Sequence, residues 1–440
     1  APRAPMLAAT LPGFSIKFDF VTIILFFKTY FSLELLETRI YQKITTINFF
    51  TLSISLSGYY QNCYMNTKVV VFGLSTEGYS IASKMALKGA DVQIIDESTP
   101  SAISIKSDIA KTYPTVQTLK DDEPLLSMIP IDVAVSKAQI LFFVPILRKT
   151  GQEIRIEINS KFKEAVGNLK KGSSVVYCLG TGFGGNSENI SLLEHVTGFK
   201  AGKNISYYYY PLPINNETPS FIGTNSPKPN EKIIELLSNN EKPQFISLPS
   251  SEHFHAINIL KQFSVLTSVL EICKFAKDKV SKSDLSTNEL GEIFLDDMIN
   301  NLFDLRSLSL SFEGANTLMY IINGSLKGID NYIKRLIDEI RLVLKKNELK
   351  ASRTKILLLW SLDQHVMKGD KIETLQTLQT KLQDYINDVE CVETPLDYFQ
   401  NEKTTIVVVC SKSDYQYVQK NRKDNEIIII KANPLCELIE

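Results

Sequence analysis

Lys68 to Glu97 reads KVVVFGLSTEGYSIASKMALKGADVQIIDE and divides into strand, turn, helix and strand. Val69 to Phe72 is an apolar β-branched run stopped by Gly73, and Ile81, Ala82, Met85 and Ala86 fall at helical spacing before Gly89. Val92 to Ile95 follows as a second strand and closes on Asp96. In a dinucleotide-binding turn the first glycine makes the bend, the second lets backbone approach the pyrophosphate, and the third lets helix pack closely on strand. Those positions are Gly73, Ser75 and Gly78, so Ser75 adds a side chain where the pyrophosphate would pass. The helix start offers N–H groups and a positive dipole end to phosphate. Asp96 sits where a carboxylate accepts from ribose hydroxyls. The cofactor implied is NAD, and the alternative is a doubly wound sheet whose first turn holds nothing.

Outward from this unit, 440 residues predict two to three domains. Apolar residues make up 44% and charged residues 22%, as in ordinary globular proteins. With 48 basic and 49 acidic residues the net charge is −1, which argues against a nucleic-acid surface or a polybasic membrane patch. Six cysteines without a CxxC pair predict reduced, buried thiols and a cytoplasmic protein. His253 and His255, two apart on a helix, point to different faces and predict no metal site.

Residues 1–64 form an atypical leader, rich in Phe, Tyr, Ile, Ser and Thr. Phe20 to Phe27 is too short to span a bilayer, and the uncharged Ile44 to Thr67 is interleaved with polar residues. Met65 directly precedes the first strand, so the folded protein is expected to begin there, with a peripheral membrane anchor as the second reading of the leader.

Residues 65–249 alternate apolar strands (Ala138 to Pro145, Val175 to Leu179, Tyr207 to Tyr210) with a helix around Lys161 to Leu169, which predicts a Rossmann-like parallel sheet. In residues 250–346 the period becomes helical. Ile259, Phe263, Leu266, Leu270 and Cys273, then Ile329, Ile333, Leu336, Ile340 and Val343, mark long helices that serve as core and dimer interface. Residues 353–440 return to a smaller C-terminal α/β Rossmann-like domain, with strands at Lys355 to Trp360, Val389 to Val392, Thr405 to Cys410 and Ile427 to Ile430, and a helix over Lys371 to Ile386. The fold class is α/β.

This order, with KVVVFGLSTEG, Glu123-Pro124, ILFFVP, SVVYCLGTGFGGNSENISLLEHVTGFKAGKNISYYYYP, FIGT, SSEHF and FEGANTL, resembles the UDP-glucose/GDP-mannose (nucleotide-sugar) dehydrogenases over about Met65 to Pro395. The resemblance implies a two-step NAD-dependent oxidation of a UDP- or GDP-sugar alcohol to a carboxylate, through a cysteine thioester, with nucleotide-sugar binding in the C-terminal domain. Carried over residue by residue, it meets substitutions. The cysteine position falls at or next to Asn316, and the lysine and aspartate beyond it are Met319 and Tyr320. The lysine position three after Glu252 is His255, and its asparagine partner is Ile259, with Asn258 one out of register. The Glu-Arg pair after the tyrosine run is Leu212 and Pro213, the Ser-Thr turn is Leu179-Gly180 beside Thr181, and the arginine near Asp370 is Lys371 or Ile372. Cys178 and Cys273 lie in apolar runs and read as structural thiols.

Two functions follow: a diverged sugar-nucleotide oxidoreductase with impaired or absent turnover, or a silent homologue that acts as a binding or scaffold partner, as homodimer or heterodimer through the central helices. A membrane-associated accessory protein is a third reading, resting on residues 1–64 alone.

Overall fold

In a computed structural model, residues 62–440 form one compact unit. The structure describes residues 67–99, 101–122, 126–149, 151, 153–212, 220–238, 242–276, 293–311, 317–392, 404–421 and 427–434. The leader, Glu123-Pro124, Pro213, Asn316, Cys63 and Cys436 lie outside them.

The opening unit forms β1 (Lys68–Phe72), α1 (Thr76–Leu87) and β2 (Asp91–Ile95). Next come β3 (Ser101–Ile105), β4 (Met128–Pro130), β5 (Ile140–Phe143), α2 (Glu153–Val166), β6 (Ser174–Tyr177), α3 (Gly185–Thr197), β7 (Ser206–Tyr209), β8 (Phe221–Thr224) and β9 (Gln244–Ser247). The nine strands run in the order β4-β3-β2-β1-β5-β6-β7-β8-β9. From β2 to β7 neighbours are parallel, while β3, β4 and β8 pair antiparallel to their inner neighbours. The strand order reverses between β1 and β5, and an open α/β sheet presents its ligand crevice at such a point.

The parallel strands are buried on both faces, which explains their continuous apolar runs. Aromatic rings cross the sheet from Phe72 to Phe143 at 5.7 Å and from Phe143 to Tyr177 at 5.3 Å. Within the buried tyrosine run, Tyr207, Tyr208 and Tyr209 each have a partner for the hydroxyl. Tyr207 donates to Asn186 Oδ1 at 2.7 Å, Tyr208 accepts from the Asn230 amide at 2.8 Å, and Tyr209 accepts from the Thr181 amide at 3.1 Å.

Two long helices follow, α4 (Leu248–Ala276) and α6 (Thr317–Lys346), with the shorter α5 (Leu302–Ser309) between them. Both expected stripes face inward and are buried. They share one core with a face of the second sheet, which is built from β10 (Thr354–Leu359), α7 (Asp370–Gln383), β11 (Val389–Val392), β12 (Thr404–Val409), α8 (Lys412–Asn421) and β13 (Ile428–Lys431). Its order is β11-β10-β12-β13, all parallel. Trp360, the one tryptophan, is fully buried where β10 leaves the sheet and donates its indole N–H to Asp296 at 2.8 Å.

Some expectations shift. The helix predicted at Lys161 to Leu169 begins at Glu153, and the helix predicted at Lys371 to Ile386 ends at Gln383. The short edge strands β4 and β9, and β3 beside β4, carry no clear sequence pattern. Cys178, Cys273 and Cys410 are buried, and no disulfide occurs among the described residues.

Candidate functional site

At the switch point Gly73 adopts φ +116°, and a Cβ there would stand 2.0 Å from the Val144 carbonyl oxygen. A Cβ on Gly78 would stand 2.4 Å from the Gly73 carbonyl. Both glycines are therefore demanded by the close approach of β1, α1 and the end of β5. Gly73, Ser75, Gly78 and Asp96, distinguished in the sequence, do come together here.

Several donors of this turn are already engaged. Ser75 is the N-cap of α1: its hydroxyl accepts from the Gly78 amide at 2.9 Å and donates to the Val144 carbonyl at 3.2 Å. The Thr76 amide donates to the His365 carbonyl at 2.9 Å, and the Thr76 hydroxyl bonds the Asp363 carboxylate. The Glu77 carboxylate accepts from the Met367 amide at 2.8 Å. Burial raises the pKa of Glu77 against that amide and nearby Lys368. Asp96 is equally occupied, accepting from the Ser98 amide at 2.8 Å and hydroxyl at 2.6 Å and pairing with Lys120 at 3.1 Å. Burial acts to raise its pKa, but Ser98 and Lys120 outweigh burial and lower it.

A second glycine turn, Gly180 to Gly185, leads into α3. Here Glu252 of α4 accepts from the Gly184 amide at 3.0 Å, the Asn186 amide at 3.1 Å and Asn186 Nδ2 at 2.8 Å. A carboxylate of the chain thus fills that helix start too. Gly180 is required because a Cβ would meet Asp304 Oδ1 at 2.2 Å and His255 Nε2 at 2.9 Å. Behind it Lys368 pairs with Asp304 at 2.8 and 3.0 Å, with side chains only 4% and 1% exposed. His255 lies 3.6 Å from Asp304, and its Nε2 makes no hydrogen bond. Burial lowers the pKa of His255 against the pull of Asp304, which favours the neutral ring.

Asp370, at the start of α7, accepts from the Phe303 amide at 3.1 Å and meets Arg306 at 3.2 Å. Burial pushes its pKa up to about 6 despite Arg306 and Lys368. Beside it opens a cleft of about 690 Å³, lined among others by Arg148, Arg155, Phe303, Arg306 and Leu310. A smaller cleft of about 150 Å³ adjoins it along Arg155, Phe303, Ser307 and Leu310. Its cations are engaged: Arg155 pairs with Glu188, and Arg306 with Asp370 and Glu373.

Other carried-over positions are structural. Ile259 is core, Tyr320 is 69% exposed at the start of α6, and Lys371 bonds Asp296 at 2.6 Å. Cys178 is buried at the end of β6, and burial drives its thiol pKa up. Sequence reasoning singled out Asp370 as the acid beside a missing arginine and missed Glu77, Asp304 and Lys368. Of these only Glu77, an acid inside the phosphate turn, carries a local signal.

No family model and no curated protein matches the sequence. Among solved structures, a UDP-D-ManNAc dehydrogenase from Pyrococcus horikoshii is 13% identical over 83% of this chain and 95% of that one, with a TM-score of 0.57. An NDP-N-acetyl-D-galactosaminuronic acid dehydrogenase from Methanosarcina mazei Go1 is 12% identical over 83% and 90%, with a TM-score of 0.52. The chain has the fold of the nucleotide-sugar dehydrogenases. At these identities the likeness shows the fold alone, and the sequence resemblance extends to the course of the chain. A nicotinamide cofactor is the group such a fold implies, and its test lies in the turn just described. The Thr76 and Gly78 amides of α1 and both oxygens of Asp96 are bonded within the chain, so the residues as arranged do not fit it.

Proposed function

We propose that the chain is a nucleotide-sugar dehydrogenase-like protein without sugar-oxidising turnover, which acts as a binding or scaffold partner through its central helices. The observation that carries this reading is the closed cluster at His255. The family's lysine position holds a histidine whose ring faces an aspartate already paired with Lys368, and neither cleft is lined by His255, Asp304 or Lys368. General acid–base work needs a group free to exchange a proton with substrate, and the neighbours of this ring are an aspartate and a lysine already paired with each other. Cys178 is buried with a raised pKa, so it supplies no thiolate for a covalent stage.

Support for the partner role comes from α4. It is long and apolar enough to cross a membrane by length and composition, yet one face packs on α6. Ile257, Val265 and Ile272 on another face are 58%, 45% and 59% exposed. An apolar stripe on a helix already packed on one side is the usual form of a self-association surface. The remaining oxidoreductase reading is tested by incubating the purified protein with NAD and a panel of UDP- and GDP-sugars. No NADH above the protein-free control is expected, and steady NADH production would overturn the proposal.

A further inference from the structure

The loop that leaves β10 runs from Asp363 to Lys368 across the turn of α1, where it takes the Thr76 amide and hydroxyl and the Glu77 carboxylate. Three residues define the first turn of α1. Thr76 N–H goes to the His365 carbonyl at 2.9 Å, Gly78 N–H goes to Ser75 Oγ at 2.9 Å, and the Glu77 carboxylate between them takes the Met367 amide of the loop. Phosphate recognition at a helix start depends on such amides being open. The loop is tied at several further points. The Leu147 amide donates to the Met367 carbonyl at 2.8 Å, Arg148 donates to the Val366 and Gln364 carbonyls, and the Met367 amide donates to Glu77 at 2.8 Å. The Met367 side chain, 1% exposed, lies in the core of the nine-stranded sheet although it belongs to the chain segment after β10. Gly369 completes the contact, since a Cβ there would stand 2.9 Å from the Leu147 carbonyl.

Charge agrees with sterics. A pyrophosphate would meet the Glu77 carboxylate in the turn and the Asp363 carboxylate on the loop, and the cation nearest Asp96, Lys120, is spent on that residue. Like charges brought together in a partly buried site oppose binding.

We infer that segment Asp363–Lys368 is a built-in occupant of the dinucleotide turn, which excludes NAD and fastens the four-stranded sheet to the nine-stranded one. The inference is separate from the loss of turnover, because a chain can bind cofactor and still not react.

The test is made on the full chain. NADH fluorescence is followed as protein is titrated with NADH to millimolar concentration, and amide hydrogen exchange is measured at Thr76, Leu147 and Met367. The expected result is no saturable binding and slow exchange at all three amides, unchanged by NADH. In Glu77→Ala, which removes the acceptor of the Met367 amide, exchange at Met367 and Leu147 should quicken by on the order of tenfold while the strand amides keep their protection. Saturable NADH binding, fast exchange of these amides in the native chain, or unchanged exchange in Glu77→Ala would each overturn the inference. NADH binding without sugar oxidation overturns it while leaving the proposed function standing.

Discussion

Asp370 shows how one carboxyl can record its surroundings. Its pKa is raised to about 6 by burial, with Arg306 and Lys368 pulling it down and Asp304 and Glu373 pushing it up. The folded chain therefore holds this proton more tightly than the unfolded chain does. Its contribution to stability is fully present below the ordinary aspartate range and is lost as pH rises through about 6. Asp370→Asn cannot titrate, so wild-type stability relative to the variant should fall as pH rises from about 4 to about 6, at about 1.4 kcal/mol per unit. Urea unfolding at a series of pH values measures this, and a flat difference would contradict it. At the same scale, Gly73, Ser75, Gly78 and Asp96 were legible because they lie within one short stretch. Their partners were not: Met367 is separated from Glu77 by 290 positions, and no local pattern announces a contact of that span.

At the scale of elements, strands with β-branched runs and helices with repeating apolar residues were readable because their period is a property of the chain itself. The strands β3, β4 and β9 were not, since three to five residues at or next to a sheet edge leave too little pattern. Helix α4 illustrates an intermediate case. Its buried stripe was predicted, but the outward residues Ile257, Val265 and Ile272 make it apolar on two sides, as a helix with partners on two sides would be. If that face joins two copies or a homologue, Ile257→Asp combined with Ile272→Asp should weaken association by a hundredfold or more, in order of magnitude, without changing helix content. Light scattering and circular dichroism check both parts. A wild-type chain that is monomeric at all concentrations would remove the partner role.

At the scale of the molecule, the architecture suggests two sheets that could unfold apart, but the core assignments say otherwise for residues 62–440. The central helices share a core with the four-stranded sheet, and Met367 extends the chain after β10 into the core of the nine-stranded one. Chains of this size commonly unfold in stages. Here thermal unfolding is expected to show one calorimetric transition, and two resolved transitions would mean that the Asp363–Lys368 crossing contributes little to coupling.

Trp360 gives that coupling an optical signature. The sole indole of the chain stands three residues before Asp363, dry and fixed to Asp296 through its N–H. All tryptophan emission therefore originates at the end of β10, where the crossing segment leaves the sheet, so a change in its colour or lifetime reports the loosening of that end, with no label added and no second tryptophan to subtract.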